Sequence, residues 1–517
     1  MARLTSQRGS PPDPMFLRSQ PVVSWGTPRG SIDLQAALQQ GPSEAVSELQ
    51  RAGDAWEQLR GAVLQEPGRL TTLAPYFSED DYPHLWTYFA GYAEALKQSD
   101  APFSWTPLIG LAARIATAPL GSQDHVLVTM AWLLHDGLRQ SKNPIPHDLM
   151  DQILAIATAL LTERATPLDA GDAINDFDTH QLNSAAGVAA TLFMVWLWHA
   201  LETDDGKLTR GWPLDTASKI AAALEGAWGG IEMRYAMGEF AWLLEWCEPG
   251  WVAGHLTDVA LPPAHPQSAR AFSRGYLRSE HLDQHVMREM LGVYRSLIPR
   301  VADNGADHQD DLLSRKVIGH IVAGWSVDLV GFDLEGLLGE LHAALSDELR
   351  GEIARLMMLH LEAAEGQQRA DLWTKMDAYW TFVVERYREA EPVERSDELT
   401  WFCSWVAYIP ALLADIETRL YVSIDHVSRG FGLERLIDSL AARAGTEPLP
   451  VARLASRLVR RWSNDPEIQW YGRSLEQVIE GIWRSGNPEA RDIAKVVVDE
   501  LLKAGMGDFS SALASRQ

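Results

Sequence analysis

From Ser31 onward, apolar residues recur at three- and four-residue spacing, in segments of about 12 to 20 residues cut by short Pro, Gly, Asp and Ser turns. Nothing alternates as a strand ladder does. A chain patterned this way buries one stripe of each helix against another helix, which restricts it to bundles or stacked arrays. Twenty tryptophans sharpen the expectation. Pairs such as Trp242/Trp246 and Trp401/Trp405 sit four apart, so each shares a helix face and presents a large apolar surface to a neighbour. Both Trp242 and Trp246 are therefore expected to pack inside the array. At 517 residues the chain exceeds what one compact core usually holds. About twenty helices with brief turns predict an all-α fold, an irregular α-solenoid of stacked helix pairs of HEAT or TPR type. No strict tetratricopeptide or ankyrin consensus is present, and the unit of roughly 35 to 45 residues is nearer a HEAT-like pair.

Breaks in the periodicity suggest an organisation. Residues 1–30 carry Arg3, Arg8, Arg18 and Arg29 against Asp13, amid Pro11, Pro12, Pro14, Pro21 and Pro28, without an apolar signal core, and read as a flexible leader, a remnant of an upstream domain or an uncertain start site. Asp/Asn-rich interruptions at Asp169 to Asp178 and at Asp303 to Asp311 divide the rest into helical arrays over 31–170, 171–302 and 303–517. Within them, single helices are expected at Ser43 to Leu64, with Gly53 a local weakness, at Leu182 to Glu202, at Glu232 to Cys247 and at Leu282 to Val301. None is drawn between Leu413 and Leu433.

The net charge of −25 disfavours a nucleic-acid backbone as partner of the whole molecule and favours a basic protein surface. Ala185 to Leu201 is the most apolar stretch. It falls short of the roughly 18 uninterrupted residues of a membrane span and reads as a buried helix, so no membrane partner is expected. Two cysteines, Cys247 and Cys403, make no disulfide framework and fit a reducing cytoplasm, each as a small buried residue beside tryptophan.

Signatures of catalysis are sparse. No Gly-x-x-x-x-Gly-Lys-Ser/Thr, Gly-x-Gly-x-x-Gly or Gly-x-Ser-x-Gly string occurs, and Gly430-Phe431-Gly432 reads as a turn before a helix at Leu433. Leu133-Leu134-His135-Asp136-Gly137-Leu138 resembles the histidine-aspartate core of metal-dependent phosphohydrolases, in which that pair holds a water-activating metal. The pattern needs a further His upstream and an Asp downstream, and His125 and His84 are poorly placed for it. The competing reading is a helix end loosened by Gly137, with Arg139 complementing the dipole. His281 and His285 stand at i and i+4, a spacing zinc can bridge, without a visible third ligand. No cofactor is expected. Arg453, Arg457 and Arg461 form a basic stripe, adjoined by Arg460 and Trp462, which suits an acidic protein partner or a phosphate backbone. Its competing reading is a solvated face paired to Asp465 and Glu467.

Gly230-Ile231-Glu232-Met233-Arg234-Tyr235-Ala236-Met237-Gly238-Glu239-Phe240, then Leu243-Leu244, then Glu248-Pro249-Gly250-Trp251-Val252, resembles a recurring element in the carboxy-terminal helical regions of large bacterial antiphage proteins, among them STAND NTPases and sirtuin-like defence proteins. Phe272-Ser273-Arg274-Gly275-Tyr276-Leu277 and Leu291-Gly292-Val293-Tyr294 fit its sequel. The likeness covers Leu182 through about Ala444, and its motifs are structural. It implies a sensor or scaffold array, here without the amino-terminal NTPase or NAD-hydrolysing domain, that recognises a phage component or a separately encoded effector. The sequence thus points to a non-enzymatic, cytoplasmic protein-binding scaffold in bacterial antiviral defence. A phosphohydrolase using His135 and Asp136, and a nucleic-acid-binding accessory protein using Arg453, Arg457 and Arg461, stay open as alternatives.

Overall fold

A computed structural model describes residues 32–52, 56–98, 101–118, 124–139, 142–170, 174, 176–203, 205–213, 215–260, 266–304, 311–387, 396–427, 431–462, 471–506 and 509. The leader, Gly53, Gly430, Asp465 and Glu467 lie outside them. The chain forms two compact units, Met1–Val286 and Met287–Gln517. In the first, the α-helices are α1 Leu34–Gln40, α2 Pro42–Ala52, α3 Trp56–Gln65, α4 Pro67–Leu70, α5 Tyr82–Gln98, α6 Trp105–Ala116, α7 Asp124–Arg139, α8 Met150–Arg164, α9 Phe177–Asn183, α10 Ala185–Leu201, α11 Thr216–Leu224, α12 Gly230–Glu239, α13 Ala241–Cys247, α14 Trp251–Val259 and α15 Pro266–Arg278. α16, Gln284–Glu289, crosses the boundary. The second holds α17 Leu291–Asn304, α18 Asp311–Ser326, α19 Leu337–Ala344, α20 Asp347–Ala363, α21 Gly366–Tyr387, α22 Asp397–Trp405, α23 Ala414–His426, α24 Phe431–Arg443, α25 Pro448–Trp462, α26 Gly472–Ser485 and α27 Pro488–Lys503. Two isolated bridges, Glu202 with Leu208 and Ser396 with Val427, are the only β pairings among the described residues.

Each unit is an all-α, solenoid-like stack in which a helix packs on the next but one. In the second unit α18, α20, α22, α24 and α26 form one row, and α21, α23, α25 and α27 the other. In the first, α3, α5, α7, α10, α12 and α15 follow one another, with α6 and α8 alongside. Such a two-row stack buries a continuous apolar seam between rows, which no single pair could do alone.

One expected helix is broken by a local hydrogen bond. The expected Leu182 to Glu202 helix is two, α9 and α10, bent by 81°. Ser184 leaves helical geometry, and its side chain accepts from the Gly187 amide at 3.0 Å, opening a new helix. Among the described residues no single helix is long and apolar enough to cross a membrane. α10 is instead buried over most of its circumference. Phe240 separates α12 from α13, and Met290 separates α16 from α17, where one helix was expected each time. Of the stretch read as one helix from Ser43 to Leu64, α2 and α3 cover the described part, and residues 53–55 lie outside it.

The tightest contact in the first unit is between α12 and α15. A Cβ on Gly238 would stand 2.0 Å from the Phe272 carbonyl oxygen, and one on Gly275 would stand 2.0 Å from that of Tyr235. Only glycine at both positions lets the backbones touch, which explains the small-residue steps of these two segments. The turn Glu248-Pro249-Gly250-Trp251 is held by an acid outside it, while Glu248 itself accepts from Trp212 Nε1 at 2.9 Å. Glu245 accepts from the Gly250 amide at 2.6 Å and the Val252 amide at 3.1 Å, capping α14.

One packing expectation is corrected. Trp242 is half-buried in a ring cluster, but Trp246 is 36% exposed. Its Nε1 donates to the Thr209 carbonyl at 2.9 Å, and the Arg210 guanidinium lies 5.1 Å from its ring. Position 242 therefore lies on the packed flank of α13 and position 246 at its solvent edge. Trp405 is fully buried, while Trp401 is half-buried.

Candidate functional site

α25 begins at Pro448, where a missing amide costs nothing, and buries Val451, Leu454, Leu458 and Trp462. Arg453, Arg457, Arg460 and Arg461 fall on its exposed side. The helix contains four arginines and no acid. Arg453, Ser456, Arg457 and Arg460 form one wall of a groove of about 410 Å³, completed by Tyr421 of α23 and by Ile493 and Val496 of α27. The structure therefore brings three of the four arginines singled out in the sequence to one concave surface. The fourth, Arg461, stays beside it, with its guanidinium 6.0 Å from the Trp462 ring.

The acids that hold this stripe come from neighbouring helices. Asp425 of α23 takes Arg457 in a two-pronged contact, through Nε at 2.7 Å and through Nη2. Its carbonyl accepts from Arg461 Nε at 2.9 Å. Arg453 lies 3.2 Å from Glu489 and 3.7 Å from Glu417. Arg460 has no hydrogen-bond or ion-pair partner among the described residues. The side chains of Arg453 and Arg457 remain 43% and 49% exposed. Tyr421 donates to Glu417, and its hydroxyl is pushed up by burial and by that carboxylate, so it stays a neutral donor. The lining side chains supply cationic forks, two hydroxyls and an aliphatic wall. That equipment recognises oxyanions beside apolar groups.

A second polar constellation lies in the first unit, around the α12–α15 crossing. Tyr235 donates to Asp178, which also accepts from Arg274 Nε at 2.9 Å. Arg278 stands 3.7 Å from Glu239. Burial raises the Glu239 carboxyl above the usual carboxylate range; Asp178 and Glu280 add to this, and Arg278 and Arg139 oppose it. Nearby, Trp242 packs its ring 4.7 Å from His281 and 5.9 Å from Trp198. Burial holds His281 and His199 below the ordinary imidazole value.

The residues of the metal readings are placed as follows. His135 is buried, with Nδ1 3.1 Å from its neighbour Asp136, which lies 3.6 Å from Lys97. Burial would raise the Asp136 carboxyl, but His135 and Lys97 together hold it low. Gly137 does not end the helix, which runs on to Arg139. A Cβ there would meet the Trp105 ring at 2.5 Å, so that glycine serves packing. His281 precedes α16, whereas His285 is inside it, 3.6 Å from Glu245. The two imidazoles therefore do not share a helical face. Among the described residues no group of three or more His, Cys, Asp or Glu side chains is gathered as a ligand set.

Both cysteines are buried and free. Burial raises the Cys247 thiol to about 12 and pushes Cys403 up as well, so neither is poised as a thiolate. Sequence reading missed α23, and with it Tyr421 and Asp425. The available signal was Ile416, Leu420 and Ile424 at four-residue spacing. It is obscured because Glu417, Arg419, Ser423 and His426 are also buried on that helix.

No family model matches the chain, and comparison with curated proteins and with solved structures gives no match.

Proposed function

We propose that this chain is a non-enzymatic helical-repeat scaffold or sensor that binds a partner protein, in the cytoplasm, as part of a bacterial antiviral defence assembly. The observation that carries the binding role is α25: four arginines and no acid, three of them lining a groove, in a chain of net charge −25. The other arginine-rich helix, α15, spends two of its arginines on the half-buried carboxylates Asp178 and Glu239. Arg453 and Arg457 of α25 also meet carboxylates, Glu489 and Asp425, but stay 43% and 49% exposed. A local basic surface on an acidic molecule selects partners by charge while the rest of the molecule repels nonspecific acidic binders. The defence setting rests on the resemblance of the α12 to α15 segment, whose glycine steps and capped turn have structural causes. A separately encoded effector or a phage component is the expected partner.

Affinity purification of the tagged full-length chain from its native host tests the reading, run beside a variant carrying Arg453→Glu, Arg457→Glu and Arg460→Glu. A stoichiometric protein partner lost in the variant, with the circular dichroism spectrum unchanged, is the expected result. Retention of nothing, or equal retention by both proteins, would overturn it.

A further inference from the structure

We infer that the α25 groove recognises a short acidic–aliphatic–acidic segment of the partner, a Glu-Leu-Glu type of sequence held extended; this rests on the partner-binding reading above. Arg460 presents a guanidinium with no internal partner among the described residues, so it is the vacant anchor. Of its neighbours, Arg457 is held two-pronged by the half-buried Asp425 and keeps its remaining N–H groups for a partner, whereas Arg453 meets the exposed Glu489. The exposed Arg453–Glu489 pair is weak, so a partner carboxylate exchanges with it at little cost.

The opposite wall decides what accompanies the carboxylates. Ile493 and Val496 of α27 line the groove, and Val496 is 41% exposed. A phosphodiester chain would leave that wall uncovered, and a long polyanion would also meet the repulsion of a molecule of net charge −25. A peptide with few charges and one aliphatic side chain satisfies both walls. The dimensions agree. Arg453 to Arg460 spans seven residues of helix, about 10 Å along the axis, which is the reach of about three extended residues. In an extended segment side chains i and i+2 point the same way and i+1 the other. Two acids then face Arg457 and Arg460, which are neighbours one helical turn apart, while the residue between them turns to Ile493 and Val496.

Fluorescence anisotropy on the full-length protein provides the test, using a fluorescein-labelled peptide with a Glu-Leu-Glu core in a Gly/Ser frame. Saturable binding is expected, weakened at least about ten-fold by Arg460→Ala or by a Gln-Leu-Gln core, and weakened also by Glu-Ser-Glu and by Val496→Asp. Arg460→Ala should leave the urea midpoint unchanged, since the side chain is exposed and has no partner among the described residues. Absent binding, equal affinity for Gln-Leu-Gln, indifference to Arg460→Ala, or tighter binding of a short single-stranded oligonucleotide would each overturn the inference. If the purified partner still requires the three arginines while the peptide fails to bind, the scaffold reading survives and only the recognised motif is wrong.

Discussion

At the scale of single residues, the tryptophans divide by what surrounds them rather than by where they fall in the sequence. Trp405 is fully buried, with its ring centroid 4.5 Å from Phe402 and 6.1 Å from Trp380, and its Nε1 donates to the Ala354 carbonyl at 3.2 Å. Removing it leaves a cavity, so Trp405→Ala should cost about 3–5 kcal/mol. Trp246 loses one hydrogen bond and a cation–ring contact at the surface, so Trp246→Ala should cost about 1 kcal/mol. Urea titration of the two variants checks the contrast, and equal losses would show that the exposed indole is packed after all. The cysteines give a companion test. With both thiols buried and their ionisation pushed up, Ellman's reagent should react negligibly with folded protein and release two equivalents on denaturation. Rapid labelling of the folded chain would contradict that placement.

At the scale of helices, the crossing of α12 and α15 is the most constrained contact. Gly238→Ala or Gly275→Ala puts a methyl 2.0 Å from a carbonyl oxygen of the opposite helix, and backbone cannot yield as a flexible side chain does. Each change should cost at least about 1–3 kcal/mol, the range of overpacked cores. Gly292, in α17, meets nothing within 4 Å, so Gly292→Ala should be neutral or stabilise by up to about 1 kcal/mol through helix propensity. Thermal melts of the three variants decide the matter; similar effects at Gly238 and Gly292 would remove the close-contact explanation. Helices were legible in the sequence because burial follows the 3.6-residue period. Their breaks were not. The helical period runs on across Ser184, Phe240 and Met290; at Ser184 a side-chain cap, invisible to periodicity, opens the new helix, while at Phe240 no side-chain cap marks it. The groove was half legible. Four arginines on one face of α25 stand out in the sequence, but the acids that hold them and the aliphatic wall opposite come from α23 and α27, so only packing reveals them.

At the scale of the whole molecule, charge and burial set how stability responds to pH. His84, His125, His199, His281 and His360 are all held below the ordinary imidazole value, burial being the largest cause each time. A base whose folded value is depressed binds its proton first in the unfolded chain. Each of these therefore contributes stability that is present above about pH 6.5 and is lost as pH falls toward its folded value. Glu239 works in the opposite sense. Its raised carboxyl favours the folded state at low pH, and that contribution is lost as pH rises above the ordinary carboxylate range. Five histidines against one carboxyl predict a lower urea midpoint at pH 5.5 than at pH 7.5. The net charge of −25 adds a second influence, since protonation relieves self-repulsion, but that effect is long-range and salt-screened. Loss of stability driven by desolvation should therefore persist when ionic strength is raised. His360 is the cleanest probe, because burial is the single cause acting on it, and His360→Gln should flatten the pH slope measurably at both low and high salt. A midpoint that rises on acidification, or a slope that vanishes in salt, would place the control of stability in surface repulsion rather than in these imidazoles, of which His84 is buried and His199 and His360 are half-buried.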